Sequence, residues 1–129
     1  MENIDFLELS DVIQIHVNQI ANYGGANDIR DANLLESAIE QPRASYGGIY
    51  LHVFPFEMAS AYLFHIVMNH PFADGNKRTG TASALIFLDM NGISIETVNG
   101  ELADLTLAVA TGSIGKKEIA TFFKNHRTT

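Results

Sequence analysis

Between His70 and Arg78 the chain reads His-Pro-Phe-Ala-Asp-Gly-Asn-Lys-Arg, nine consecutive residues that carry the parts of a phosphate-transfer site. His70 is a candidate general base, because imidazole titrates near neutral pH and can take a proton from an attacking hydroxyl. Asp74 is a hard oxygen donor suited to Mg²⁺, which binds through one or two carboxylates plus substrate phosphates. Gly75 lets the backbone approach a phosphate closely, and Asn76 is a candidate helix N-cap. Lys77 and Arg78 then fall in the first helical turn, the lysine as a point charge and the arginine as a bidentate grip. Cations there oppose the helix dipole, a local conflict expected where function overrides folding, and a bound polyanion relieves it.

Each residue also has an ordinary structural explanation. A histidine suits a helix C-terminus, an aspartate before glycine suits a turn, and two adjacent cations suit a solvated first turn. The combination is what points to chemistry. Pro71 ends the incoming helix at His70, and Phe72 is an apolar anchor for the loop. The other histidines, His16, His52, His65 and His126, have no metal-ligand spacing. His65 lies in an apolar run and reads as a hydrogen-bonded core residue, and none of the four is assigned a catalytic role.

Two apolar segments must position the loop. Residues 56 to 69 are apolar on every face, which marks a buried helix, and residues 77 to 90 repeat the pattern up to an Asn91-Gly92 C-cap. Upstream, Ile13, Val17, Ile20 and Ala21 recur at helical spacing over residues 10 to 22, after Ser10 or Asp11 as cap and before Tyr23-Gly24-Gly25. Asp31 can cap a second helix bearing Leu34, Leu35, Ala38 and Ile39, stopped before Pro42. Residues 45 to 55 mix glycines with β-formers and suit a loop or a short hairpin flap, whose Tyr46 and Tyr50 could line a substrate groove. A short extended piece over 93 to 96 precedes helices over roughly 101 to 111 and 115 to 126. The expected architecture is all-α, with about six helices around the two buried ones.

The chain has 129 residues, 47% of them hydrophobic, which fits one domain over 1–129 with a real core. Eight basic against 15 acidic residues give a formal net charge of −7, which argues against direct DNA binding and against adsorption to anionic membrane. There is no cysteine, so disulfides and thiolate zinc sites are excluded. The start is acidic where a secretory signal is basic, and no apolar run approaches the ~20 residues needed to cross a bilayer. A cytoplasmic protein is expected.

The loop resembles the signature of the Fic/Doc (Fido) family, His-Pro-Phe-x-Asp/Glu-Gly-Asn-Gly-Arg-x-x-Arg. It departs at Lys77, where the common Fic form has glycine, and at Thr81, where that form has a second arginine. Both departures are features of the death-on-curing (Doc) branch. The similarity extends over Tyr23-Gly24-Gly25, Ile29-Arg30-Asp31, Leu34-Leu35-Glu36-Ser37-Ala38, Pro42-Arg43-Ala44, Phe87-Leu88-Asp89-Met90-Asn91-Gly92 and Ala110-Thr111-Gly112, nearly the whole chain.

The resemblance implies an all-helical Fido fold and transfer of part of a nucleotide to a protein hydroxyl. His70 would be the base, Asp74 the ligand of Mg²⁺, and Gly75, Asn76, Lys77 and Arg78 the holders of the phosphates. Typical Fic proteins transfer AMP. Doc-type toxins resemble kinases that phosphorylate a threonine of elongation factor Tu with ATP and stop translation, and Lys77 and Thr81 favour that branch. Adenylyl transfer by the same residues remains the alternative, as does a non-catalytic antitoxin-binding module. The inhibitory helix pattern of many Fic proteins has its nearest fit at Thr97-Val98-Asn99-Gly100-Glu101, where Gly100 disfavours a helix. Restraint would then fall to a separate Phd-type antitoxin folded onto an apolar groove.

Overall fold

The computed structural model describes residues 3–128 and is built from six α-helices with one small hairpin. In chain order these are α1 (Leu9–Tyr23), α2 (Ala32–Glu40), β1 (Ser45–Tyr46), β2 (Ile49–Tyr50), α3 (Phe56–Asn69), α4 (Asn76–Met90), α5 (Glu101–Ala110) and α6 (Lys116–Asn125). A 3₁₀ turn, Gln41–Arg43, follows α2 and holds the proline that stops it. The two strands pair antiparallel with Ser45 opposite Tyr50 and Tyr46 opposite Ile49, so the flap segment is a hairpin. Among the described residues no helix is long and apolar enough to cross a membrane.

The apolar circumference of α3 has a simple cause: α2, α4, α5 and α6 all pack against it. Met58, Ala59, Tyr62, Leu63, Ile66 and Val67 are buried there, against Ala84, Phe87 and Leu88 of α4. The Tyr62 and Phe87 rings lie 5.2 Å apart. Buried Tyr62 still satisfies its hydroxyl, which accepts the Leu7 backbone N–H at 2.9 Å. The two central helices cross closely at Gly80, where an added Cβ would stand 3.0 Å from Val67 Cγ2 and 3.1 Å from the Leu63 carbonyl oxygen.

Several local expectations need correction. The N-cap of α1 is Glu8, two or three residues earlier than Ser10 or Asp11; Asp11 instead accepts the Glu8 N–H at 2.8 Å and closes the turn. Tyr50 packs 5.5 Å from Phe6 and Tyr46 is 83% exposed, and neither is among the walls of the two cavities at the motif loop. Asp31 does cap α2, accepting the Leu34 N–H at 3.0 Å, and Gly100 in the left-handed region stands before α5 rather than within a helix.

Candidate active site

The motif loop leaves α3 through an unusual backbone. His70 has φ 54° and ψ 50°, the one described non-glycine residue with positive φ, a conformation that costs on the order of 1–3 kcal/mol. Pro71 explains why His70 leaves the helix, and Arg30 helps hold it there. The Arg30 guanidinium donates from Nε to the His70 carbonyl at 2.6 Å and from Nη2 to the Asn69 carbonyl at 3.0 Å, capping the end of α3. The Arg30 and Asp31 backbone N–H groups both donate to the Pro71 carbonyl, Ala73 N–H donates to the Asp28 carbonyl, and Ile29 bridges Phe72. The α1–α2 connector is therefore stitched along the motif loop.

Inside the loop, Phe72 is fully buried and two neighbours fix it. His16 of α1 stacks on its ring at 3.7 Å, and the Asn76 side chain brackets its backbone, accepting Phe72 N–H and donating to Phe72 C=O, both at 2.9 Å. Asn76 is thus not the N-cap. That position belongs to Gly75 in the left-handed region, and Asn76 is the first residue of α4, its amide spent on holding the loop shut. Gly75 has φ 81°, which favours glycine, and an added Cβ would also press on Ile20 Cδ1 at 3.2 Å.

Asp74 is exposed and held from two sides. Its carbonyl accepts from His16 Nε2 at 2.8 Å, which makes Nε2 the protonated nitrogen of that ring, and its carboxylate Oδ2 accepts the Ala26 N–H at 2.8 Å. Arg78 donates from Nη2 to the Gly24 carbonyl at 3.1 Å and lies 5.3 Å from the Tyr23 ring centre, so part of its fork is already engaged. Lys77 is exposed. The first hydrogen-bonded N–H of α4 is that of Thr79, and no side chain caps the helix, which leaves the opening N–H groups and the positive dipole end directed at the loop.

A cavity of about 420 Å³ results, lined by His70, Ala73, Asp74, Gly75, Asn76, Lys77 and Arg78. Beside it an apolar cleft of about 430 Å³ runs between α1, α4 and α5, with Tyr23, Ala82, Leu85, Leu102 and Leu107 among its walls and Lys77 and Arg78 at one edge. Thr81 faces this cleft with its hydroxyl engaged by the Lys77 carbonyl at 2.9 Å and the Thr106 hydroxyl at 2.7 Å. The loop therefore brings all six candidate residues, His70, Asp74, Gly75, Asn76, Lys77 and Arg78, around one cavity. Sequence reasoning missed His16 and Arg30 as positioning residues, since their partners lie 58 and 40 positions away and no local spacing announces such pairs.

One carboxylate beside helix N–H groups and two cations fits a Mg²⁺ ion whose remaining ligands are phosphate oxygens and water. Among the described residues there is no cluster of three or more acidic, histidine or cysteine side chains that would make an all-protein cage.

An all-α bundle in which two buried helices present this loop is the Fido arrangement, and the Fic/DOC family model matches residues 6–88. The chain belongs to the Fic/DOC family. It is similar to Protein kinase doc of Escherichia phage P1, 38% identical over 112 residues, which cover 85% of this chain and 86% of that protein. It is also similar to Toxin Doc of Mycolicibacterium smegmatis, 35% identical over 91 residues, covering 70% of this chain and 68% of the relative.

Proposed function

We propose that this protein is a Doc-type toxin that transfers the γ-phosphate of ATP to a hydroxyl of a protein target, a threonine of elongation factor Tu, and thereby blocks translation. The observation that carries this reading is the geometry of the 420 Å³ cavity: an exposed histidine and a carboxylate face the uncapped start of α4 with its two cations. The 38% identity to a protein named as a kinase, over most of both chains, supports phosphoryl rather than adenylyl transfer. So does Thr81, whose hydroxyl is tied to Lys77 and Thr106 where the adenylyl-transferring pattern has an arginine free to clamp phosphate.

In this reading the α4 N–H groups, Lys77 and the free edge of Arg78 bind the phosphate oxygens and position the γ-phosphorus in line with the target hydroxyl. His70 accepts the hydroxyl proton as the new P–O bond forms and the bond to the β-phosphate bridging oxygen breaks, releasing ADP. Asp74 would hold Mg²⁺, which when bound neutralises charge on the phosphates. The His16 ring and the Asn76 side-chain amide orient the loop, while the Asn76 backbone N–H is one of the α4 groups that face the phosphates. A Phd-type antitoxin supplies restraint; the apolar cleft beside Lys77 and Arg78 supports this, because a helix lying there would cover both cations.

The test is mass spectrometry of purified elongation factor Tu after incubation with the protein, ATP and Mg²⁺. A phosphate-sized gain is expected, reduced about 10²-fold or more in rate by His70→Ala. An AMP-sized gain would replace the kinase with an adenylyltransferase. No gain, combined with growth inhibition that survives His70→Ala, would leave the protein a non-catalytic binding module.

A further inference from the structure

We propose that the cavity between residues 53–60 and α6 is a second anion site, separate from the motif loop, that takes a small organic phosphate: a phosphate group on an apolar body, of which a nucleoside monophosphate is the type. The cavity measures about 670 Å³, within the range of small-molecule sites, and Val53, Phe54, Pro55, Phe56 and Ala120 supply an apolar wall. Three of the chain's four lysines, Lys116, Lys117 and Lys124, line the other side. In a chain of net charge −7 that concentration is a local exception.

Lys116 is the centre of the site. Half-buried, its ammonium donates to His52 Nε2 at 3.2 Å and to His65 Nε2 at 3.1 Å, and it lies 5.7 Å from the Phe64 ring centre. Both imidazoles accept, so both are neutral. Burial first and Lys116 second hold their pKa values below the ordinary range, His65 down to about 4. The ammonium is thus solvated by rings that carry no negative charge. Glu57 also lines the cavity and is its one carboxylate, held toward the Val53 N–H at 3.0 Å; among the described residues none of the three lysines is in an ion pair with it or with any other acid.

The sequence repeats its own device here. Gly115 stands before α6 and Lys116 and Lys117 open it, as Gly75 stands before α4 and Lys77 and Arg78 lie in its first turn. In both places two cations sit where the helix dipole repels them, beside a histidine and facing a cavity. The two cavities adjoin opposite ends of α3, roughly 20 Å apart for a helix of that length. A phosphate on the Lys116 side would give these lysines the close anionic partner that neither Glu57 nor Glu118 provides, while its apolar body would cover Phe54 and Phe56.

The experiment is a ¹H–¹⁵N NMR titration of the full chain with AMP and, separately, with inorganic phosphate. AMP is expected to shift the Lys117, Ala120 and Thr121 amides saturably. The midpoint should rise about tenfold in Lys116→Gln and stay unchanged in Arg78→Ala, which weakens only the motif loop. Shifts confined to the loop amides, or α6 shifts of equal midpoint in Lys116→Gln, would overturn the proposal. Inorganic phosphate binding with the same midpoint as AMP would overturn the ligand class, since the apolar wall would then add nothing. Should Lys116→Gln fail to fold, the exposed pair Lys117→Gln and Lys124→Gln decides in its place, and an unchanged midpoint there counts against the site. None of these outcomes depends on whether the motif loop transfers phosphate.

Discussion

At the scale of single residues, the site is a set of side chains that work on one another more than on solvent. His70 adopts a left-handed backbone that few residues other than glycine tolerate, and Arg30 offsets that cost by hydrogen bonding the two carbonyls the turn exposes. Arg30→Ala is expected to destabilise the protein by about 1.5 kcal/mol, the low end for charged hydrogen bonds because the site is exposed. It should lower the transfer rate by about tenfold or more, since the histidine loses its fixed direction. Urea unfolding reads the first effect and initial-rate kinetics the second, and Arg30→Lys should recover only part of either because the fork is lost. The candidate residues were legible in the sequence because His70 to Arg78 are contiguous and chemically unlike their apolar flanks. The roles of Asn76, His16 and Arg30 were not: Asn76 looks the same on paper as a cap or as a clamp on Phe72, and the other two act across long sequence separations.

At the scale of elements, the motif loop depends on how closely α3 and α4 approach. Gly80 sets that distance, with no room for a side chain against Val67 and the Leu63 carbonyl. Gly80→Val should therefore cost about 2 kcal/mol through overpacking, read as a lower urea midpoint with an unchanged slope. Helix positions were legible from apolar periodicity to within a residue or two, and the all-round apolar character of residues 56 to 69 announced the central helix. The start of α1 is hard to read because Glu8 is a poor cap by composition; what fixes it is the Asp11 carboxylate reaching back to the Glu8 N–H. Gly75 took the cap position from Asn76 for a similar reason, since the turn needs a left-handed residue before the helix and the asparagine side chain has a better use.

At the scale of the whole molecule, pH tests the balance of histidines. The unfolded His65 titrates near 6.5 and the folded one near 4, so the unfolded chain binds more protons between those values. Stability should fall as pH drops from about 6.5 to about 4, with His52, also depressed by burial, acting in the same direction. His126 acts oppositely. Its pKa is raised, first by the Phe122 carbonyl and then by Glu101, so its contribution is present in acid and lost as pH rises through its folded value, but it is exposed to screening. Comparing urea midpoints at pH 7 and pH 5, His65→Gln should flatten the fall seen in the wild type while keeping an acceptor for Lys116.

The stitch between residues 28–31 and the motif loop has a consequence for how the molecule fails. Residues 21–30 are all exposed, and they hold the loop from outside the core without sharing in it. A protease nick in that connector would leave the packing of α3 on α4 in place yet release the strap that fixes His70. The enzyme can therefore be disarmed while it remains folded, and anything that grasps the strap gains control of the chemistry without entering the cavity.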